Sequence, residues 1–589
     1  MSEMIRSLRQ LRPFLKPNRR NLYLSLLNAV LSMIFNALWP VTMGLIVTEI
    51  TNALTQHRAI NFSYILQIIA LILVFAFGYQ ITMFLSQYLM TLAVQRSMKG
   101  LRQSLDTKLN HLPVNYFDTR QLGNLLSRFT NDVDAITNAL QQGLIQVVNS
   151  VVGITVAVIM MFTINWIMAL ITLWMIPATL IISRIILGKS QNYFEGQQNT
   201  LGRLNGVVQE SFTGFTEIQA YGQEENTLDS FKKVNHQLSN YGFKAAFISG
   251  ILMPLVSLIA YLTYAAMATV GGIFVLKGVI PVGNLQAFIQ YIWQINQPLS
   301  SLTQISSILQ SGQAATKRVF EILNEPDEPE QATEAVLPKR VQGEVKFENV
   351  SFSYTKDKPL IKNLNFTVKP GSTVAIVGPT GAGKTTLINL LLRFYEINGG
   401  KILLDGVDTK QLSRQTLRQQ FGMVLQDTWL YKDTITNNIR FGKLDAEEYE
   451  VVDAAKTANI DYYIHTLPAG YQTEISSEAD NISQGQKQLM TIARAIIANP
   501  AIMILDEATS SVDTRLEQML QQAMDKIMAG RTSFVIAHRL STIRNADLIL
   551  VLQHGEIIEQ GNHESLMAEA GFYAQLYNSQ FEDADALEN

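Results

Sequence analysis

The chain has no cysteine among its 589 residues, which excludes disulfides, thiolate metal sites and a cysteine nucleophile. It is also poor in charge: 16% of residues are Asp, Glu, Lys or Arg, against about 25% in soluble proteins. The net charge of −3 offers no excess of cations for a phosphate backbone, so nucleic acid is not an expected partner. The opening segment, MSEMIRSLRQLRPFLKPNRR, is basic and amphipathic but lacks the short apolar core and small-residue cleavage site of a secretory signal. What is abundant is apolar, 48% of the chain, and the front half holds it in long runs.

A membrane-spanning helix needs about 20 mostly apolar residues. Uncharged runs of at least that length cover 22–48, 63–95, 135–183, 245–276 and 278–316. The third is long enough to cross twice and breaks near FTINW, 162–166. Six spans are therefore expected, at about 21–50, 63–95, 135–162, 166–188, 245–276 and 281–316. A large soluble helical core is the alternative, but buried soluble helices rarely run so far without a charged face. Arg6, Arg9, Arg12, Lys16, Arg19 and Arg20 precede the first span; Arg96, Lys99, Arg102 and Lys108 follow the second, and Arg184 and Lys189 the fourth. The positive-inside rule then places both termini in the cytoplasm of a cell whose cytoplasmic membrane the chain crosses. Residues 1–20 are expected to lie along the inner surface, apolar side in lipid and arginines toward headgroups.

Two connections on the cytoplasmic side, 96–134 and 184–244, are too long for ordinary loops and keep helical patterning. They predict that the second to fifth spans continue well beyond the bilayer and turn near PVNYFDTR (113–120) and AYGQEENT (220–227). Gln290, Tyr291, Trp293, Gln294 and Asn296, with Asn28, Asn36 and Gln80, put polar groups at membrane depth. Such groups face a bundle interior or wet cavity, or hydrogen-bond between helices.

After a Pro- and Glu-rich linker at 326–343 the composition changes to short strands and amphipathic helices, predicting an α/β domain at 344–580 and an acidic tail at 581–589. STVAIVGPTGAGKTT fits an apolar strand, a glycine-rich turn and a helix start, with Gly378, Gly383, Lys384 and Thr385 at the G-x-x-x-x-G-K-[ST] positions. The turn Gly378, Pro379, Thr380, Gly381, Ala382 and Gly383, together with Thr386, would curl backbone N–H groups around phosphate oxygens. Lys384 would reach the terminal phosphates and Thr385 would offer a hydroxyl to magnesium. AIMILDE (501–507) reads as a buried strand ending in two carboxylates: Asp506 for the metal, Glu507 to orient or deprotonate the attacking water. His538, after the strand in TSFVIAHR, is placed to meet a γ-phosphate.

The phosphate loop, LQD around Gln426, ISQGQ, ILDEATSSVD and AHR occur in the order found in ABC transporter ATPase domains, and the whole chain resembles an exporter half-transporter of that family. The resemblance implies a six-helix membrane domain at 1–325 with long cytoplasmic extensions, followed by the ATPase domain, with ATP and Mg2+ as cofactors. It further implies that Tyr354 stacks on adenine, that Gln426 touches magnesium, that Asp513 lies at a dimer seam, and that Ser483, Gln484, Gly485 and Gln486 face the ATP of a second subunit.

The family signature reads Leu-Ser-Gly-Gly-Gln; here Ile482 replaces the leucine and Gln484 the first glycine. Glycine allows close approach to a phosphate and backbone shapes that a side chain disfavours, so Gln484 is expected to impair the site it serves. The preceding TEISSEADN also departs from the family pattern. An intact water-activating set beside a spoiled signature implies a heterodimer, whose second half-transporter has an intact signature and a weakened catalytic base. The expected activity is ATP-driven, multidrug-type efflux of amphipathic small molecules. The alternatives are a homodimeric lipid or peptide exporter and an ATP-gated channel or regulatory subunit.

Overall fold

The computed structural model describes residues 2–329, 335–355, 358–425, 428–476, 481–506, 514–536 and 540–579. The chain divides into two compact units. The first comprises Met1–His111 and Arg120–Glu325; the second comprises Leu112–Thr119 and Pro326–Asn589.

The first unit is all helical. Among the described residues, five helical runs are long and apolar enough to cross a bilayer: Arg9–Thr55, Phe62–Asn110, Leu122–Ile164, Trp166–Thr213 and Glu224–Leu276. The sixth expected span lies in the helix Val282–Leu323. It falls outside that set because Gln286, Gln290, Gln294, Asn296 and Gln297 dilute its apolar residues. The helix Phe62–Asn110 has 49 residues. At about 1.5 Å per residue it is more than twice as long as a bilayer core of about 30 Å is thick. The chain turns between His111 and Pro113 and again at Tyr221–Gln223, where Gly222 takes a left-handed φ of +60°. Between the third and fourth runs Asn165 leaves the helix with extended backbone, and its Oδ1 accepts from the N–H groups of Ile167 and Met168.

Two of these helices are locked by a proline. Pro40 sits inside the helix Arg19–Thr55 and has no N–H to give to the carbonyl of Asn36. In hydrocarbon a freed carbonyl has no water to turn to. Gln294 Nε2 donates to Asn36 O at 3.0 Å, and Tyr291, fully buried, donates its hydroxyl to Ala37 O at 2.6 Å. These two polar residues bridge helices. Gln80 is exposed, and Asn28 bonds within its own helix, to Leu24 O. Gln294→Leu should cost about 1 kcal/mol, the usual size of an interhelical bond in a membrane. In a Pro40→Ala background the residue-40 N–H can take the Asn36 carbonyl, so the Gln294→Leu penalty should shrink. A double-mutant cycle on thermal midpoints measures this, and equal penalties in both backgrounds would rule the account out.

The same helix pair meets backbone to backbone lower down. A Cβ added to Gly283 would lie 1.7 Å from Gly44 O and 2.3 Å from Thr48 Oγ1. Toward the far end of the helix Val282–Leu323, Arg318 clasps Asp132 with two hydrogen bonds, 2.5 Å from Nη2 and 2.9 Å from Nε. Asp132 is buried and ends a π-helical turn, Arg128–Asp132. A second π turn, Ala139–Gly143, follows after the six-residue helix Val133–Asn138. There the helix backbones again come close, since a Cβ on Gly312 would lie 2.3 Å from Ala139 Cβ.

The second unit holds two sheets. β1 (Val345–Phe352), β2 (Ile361–Val368), β4 (Gly399–Leu404) and β5 (Val407–Asp408) form an antiparallel sheet in the order β2-β1-β4-β5. β3 (Thr373–Val377), β6 (Phe421–Val424), β7 (Ile502–Asp506), β8 (Thr532–Ile536), β9 (Leu548–Gln553) and β10 (Glu556–Gly561) form the other, in the order β10-β9-β3-β8-β7-β6, parallel except at β10. Its central strands β3, β7 and β8 are apolar at most positions because both faces are covered. Val374 and Ile376 point into one core with Phe347 and Phe366 of the antiparallel sheet. Ala375 and Val377 point into the other with Ile435, Val451, Leu489 and Met490 of the helices. The 335–343 stretch of the linker packs on this unit through Asp405, whose carboxylate accepts from the N–H groups of Gln342, Gly343 and Glu344.

Candidate functional site

The candidate site stands at the carboxyl ends of β3 and β7, where parallel α/β sheets bind ligands. β3 ends at Val377, and the loop to the helix Lys384–Leu391 runs through left-handed backbone at Gly378 (φ +151°), Gly381 (φ +81°) and Gly383 (φ +104°). At Gly378 the requirement is also one of space: a Cβ would lie 2.2 Å from Leu552 O. The loop is braced from the β9–β10 turn, where Gly555 N–H donates to Ala382 O. A Cβ on Gly381, by contrast, would meet nothing within 4 Å, so this side of the loop is open to a ligand.

Lys384 opens the helix, and its Nζ donates to Gly378 O at 2.6 Å and to Pro379 O at 3.2 Å. Partial burial pulls its pKa below the ordinary lysine value, and the negative charge of Asp506 opposes that. Thr385 is exposed while Thr386 is buried and pairs with Tyr354, hydroxyl to hydroxyl, at 3.0 Å. The Tyr354 ring is 48% exposed and stands edge-on to Phe352 and Tyr395, leaving ring surface open to a planar ligand. Asp506 is the last residue of β7, in register with Ile536 of β8. Among the described residues no group of three or more His, Asp or Glu is placed to hold a metal ion by itself. Among the described residues the donors are one carboxylate, Asp506, and one hydroxyl, Thr385, which suits Mg2+: that ion keeps several waters and is held largely by the phosphates it accompanies. Bound there, it would neutralise charge on the phosphoryl oxygens. Gln426, Glu507, Asp513 and His538 lie outside the described residues.

The signature group stands apart. Ser483 caps the helix Gln484–Ala498, its Oγ accepting from Gln486 N–H while Gln486 Oε1 accepts from Ser483 N–H. The cap and the helix dipole favour an anion at this end. Gly485 is buried at the second helical position. Gln484 holds ordinary helical backbone, so its replacement of glycine strains no dihedral, contrary to the expectation drawn from glycine's conformational freedom. What the substitution changes is the side chain: it is exposed, and its Nε2 reaches Thr428 Oγ1 at 3.4 Å, standing beside the N–H groups that would meet a phosphate. Among the described residues no hydrogen bond joins Ser483–Gln486 to the phosphate loop.

The sequence reading assigns 112–119 to the membrane domain, whereas these residues cluster with the second unit. The helix Val114–Asp118 ends at Asp118, whose carboxylate accepts from Tyr395 at 2.5 Å. Burial and this bond hold the Tyr395 phenol well above its usual pKa, so it remains a donor at neutral pH. No local pattern pairs the two, because Asp118 and Tyr395 lie far apart in the chain.

Comparison with known proteins agrees with this architecture. Residues 22–299 match the model of the ABC transporter transmembrane region, and 361–510 that of the ABC transporter ATPase. A fatty acid ABC transporter ATP-binding/permease protein of Mycobacterium bovis is 47% identical over 520 residues, 88% of this chain and 82% of the relative. The uncharacterized ABC transporter ATP-binding protein YfiC of Bacillus subtilis is 40% identical over 98% of this chain and 94% of its own length. An ATP-dependent lipid A-core flippase of Syntrophus aciditrophicus is 36% identical over 495 residues, 84% of this chain and 82% of the relative. The solved structure of a bacterial Atm1-family ABC exporter with ATP bound superposes with a TM-score of 0.75 at 28% identity, covering 95% of this chain and 98% of the other. A helical membrane unit, an α/β ATPase unit and a glycine-rich phosphate loop at the end of a buried strand thus have one shared explanation: the chain belongs to the ABC transporter family, as an exporter that couples ATP hydrolysis to transport.

Proposed function

We propose that this chain is one half of a heterodimeric exporter that moves amphipathic small molecules out across the cytoplasmic membrane. ATP is hydrolysed mainly at the site formed by this chain's phosphate loop, Asp506, Glu507 and His538, closed by the signature of the second subunit. Tyr354 receives the adenine, Thr385, Gln426 and Asp506 hold Mg2+, and Asp513 lies at the seam. ATP binds better to the closed pair of ATPase domains, so binding shifts the membrane helices toward the outward-facing state and hydrolysis releases them.

The observation that carries this reading is Gln484 at the N-terminus of the signature helix, in a chain whose phosphate loop keeps the full G-x-x-x-x-G-K-[ST] pattern. In a homodimer it would burden both sites; in a heterodimer it burdens only the partner's nucleotide. The second half-transporter is accordingly expected to carry an intact signature and a weakened base. Gln484→Gly should change nucleotide release at the partner's site several-fold while leaving single-site turnover on this chain's loop within about twofold. Site-resolved trapping of labelled nucleotide reads the two separately, and an effect confined to this chain's own loop would reverse the assignment.

A second reading, a homodimeric lipid exporter, is supported by the relatives named as a fatty acid transporter and a lipid A-core flippase. The mass of the complex purified from its native membrane separates the two, and ATP-driven uptake of a fluorescent lipid or drug into inverted vesicles separates their substrates.

A further inference from the structure

The N-terminal stretch carries more than an interfacial anchor. Arg9, Arg12, Lys16 and Arg19 follow one another at intervals of three, four and three residues, which puts them on one face of a helical run. They rim a groove of about 590 Å³, within the range of about 300–1,000 Å³ typical of small-molecule pockets. Below the cations its wall is apolar: Leu22 and Leu26 from the first long helix, Met90 and Val94 from the second, Leu140 and Leu144 from the third. Leu140 and Leu144 also line a smaller, almost wholly apolar cavity of about 90 Å³, together with Leu11 and Leu309. The turn that presents Leu140 is the π turn Ala139–Gly143, a distortion often found at functional sites.

The four cations are free to meet an anion. Elsewhere in this unit Arg58 is paired with Glu49, Arg102 with Asp134, Arg128 with Glu321 and Arg318 with Asp132. Arg9, Arg12, Lys16 and Arg19 have no carboxylate partner among the described residues. They stand at the start of the run Arg9–Thr55, the basic end that the positive-inside rule assigns to the inner headgroups, and Leu22 and Leu26 lie one and two turns further along the same run. Positive charge above and a dry cleft beneath are the two ends of an anionic amphiphile standing in the inner leaflet.

We propose that this groove is a binding site for an anionic glycerophospholipid, with the headgroup among Arg9, Arg12, Lys16 and Arg19 and one acyl chain between Leu26 and Leu144. The site lies within the membrane unit and does not depend on which molecule the exporter moves. Each basic side chain near an anionic headgroup strengthens binding by about fivefold. The test is native mass spectrometry of the full-length protein, delipidated in detergent and titrated with phosphatidylglycerol, phosphatidylcholine or oleate. Phosphatidylglycerol should be retained at least about tenfold more strongly than phosphatidylcholine, and oleate should not displace it. Replacing all four cations (R9Q, R12Q, K16Q, R19Q) should bring phosphatidylglycerol down to the phosphatidylcholine level. Leu26→Trp with Leu144→Trp, which keeps the cations and fills the cleft, should abolish retention while nucleotide binding to the ATPase unit persists as the check on folding. Equal retention of the two phospholipids, an undiminished response in either variant, or oleate bound in place of phosphatidylglycerol would each overturn the proposal.

Discussion

Glu507→Gln is expected to leave ATP binding intact and to lower hydrolysis by at least about 100-fold, the usual contribution of a positioned proton acceptor. β7 delivers Asp506 to the carboxyl edge of the sheet, near enough to Lys384 for their charges to interact, and Glu507 is the next residue. The amide keeps the shape of the glutamate and can still hold a water, but cannot take its proton. Asp506→Asn should behave differently, weakening binding of Mg-ATP itself, since it removes the single carboxylate proposed for the metal. The comparison is made by nucleotide affinity and single-turnover phosphate release on both variants. Near-normal turnover in Glu507→Gln would remove the glutamate from the role proposed for it.

Gly283→Val is expected to prevent the membrane unit from assembling. Any Cβ at this position falls 1.7 Å from Gly44 O, and the obstacle is backbone, which cannot rotate away. The helices Arg19–Thr55 and Val282–Leu323 would have to separate, and the bonds from Tyr291 and Gln294 span that same pair. Overpacking of this kind costs about 3 kcal/mol, and loss of the two bonds adds to it. Gly272→Ala is the control: its Cβ would meet nothing within 4 Å, and alanine is the better helix former. Yield of folded protein from membranes and its thermal midpoint should fall sharply for Gly283→Val and hold or rise for Gly272→Ala. Equal behaviour would mean that the close crossing is not what holds these helices together.

Much of this architecture is legible in the sequence because the bilayer and the buried sheet each impose a strong local pattern. Long uncharged runs identify the membrane helices, and four or five unbroken apolar residues mark β3, β7 and β8. The glycines of the phosphate loop announce a turn that few other residues could make, and the structure gives Gly378, Gly381 and Gly383 positive φ. The sixth span is harder to read, since its amides serve partners elsewhere: Gln294 is polar because Pro40 leaves Asn36 with a carbonyl to satisfy. That relation is a property of two distant segments, as are Asp118 with Tyr395 and Gly44 with Gly283. Gln484 illustrates the opposite limit. Its identity is plain in the sequence, yet whether it acts through backbone shape or side-chain bulk depends on its place in the helix, and helical backbone leaves only the bulk.

The wide turn at Ala139–Gly143 gives the third membrane helix a tolerance that its neighbours lack. An α-helix advances about 100° per residue, so losing one residue within Leu144–Ile164 would rotate everything before or after it onto a different face. A π turn already holds one residue more than the α-helical path needs. Deleting a single residue there should restore ordinary winding and leave both flanking segments facing their present neighbours. Single-residue length changes between related transporters are therefore expected to gather at this turn, inside a membrane helix, where insertions and deletions are otherwise rarely accepted.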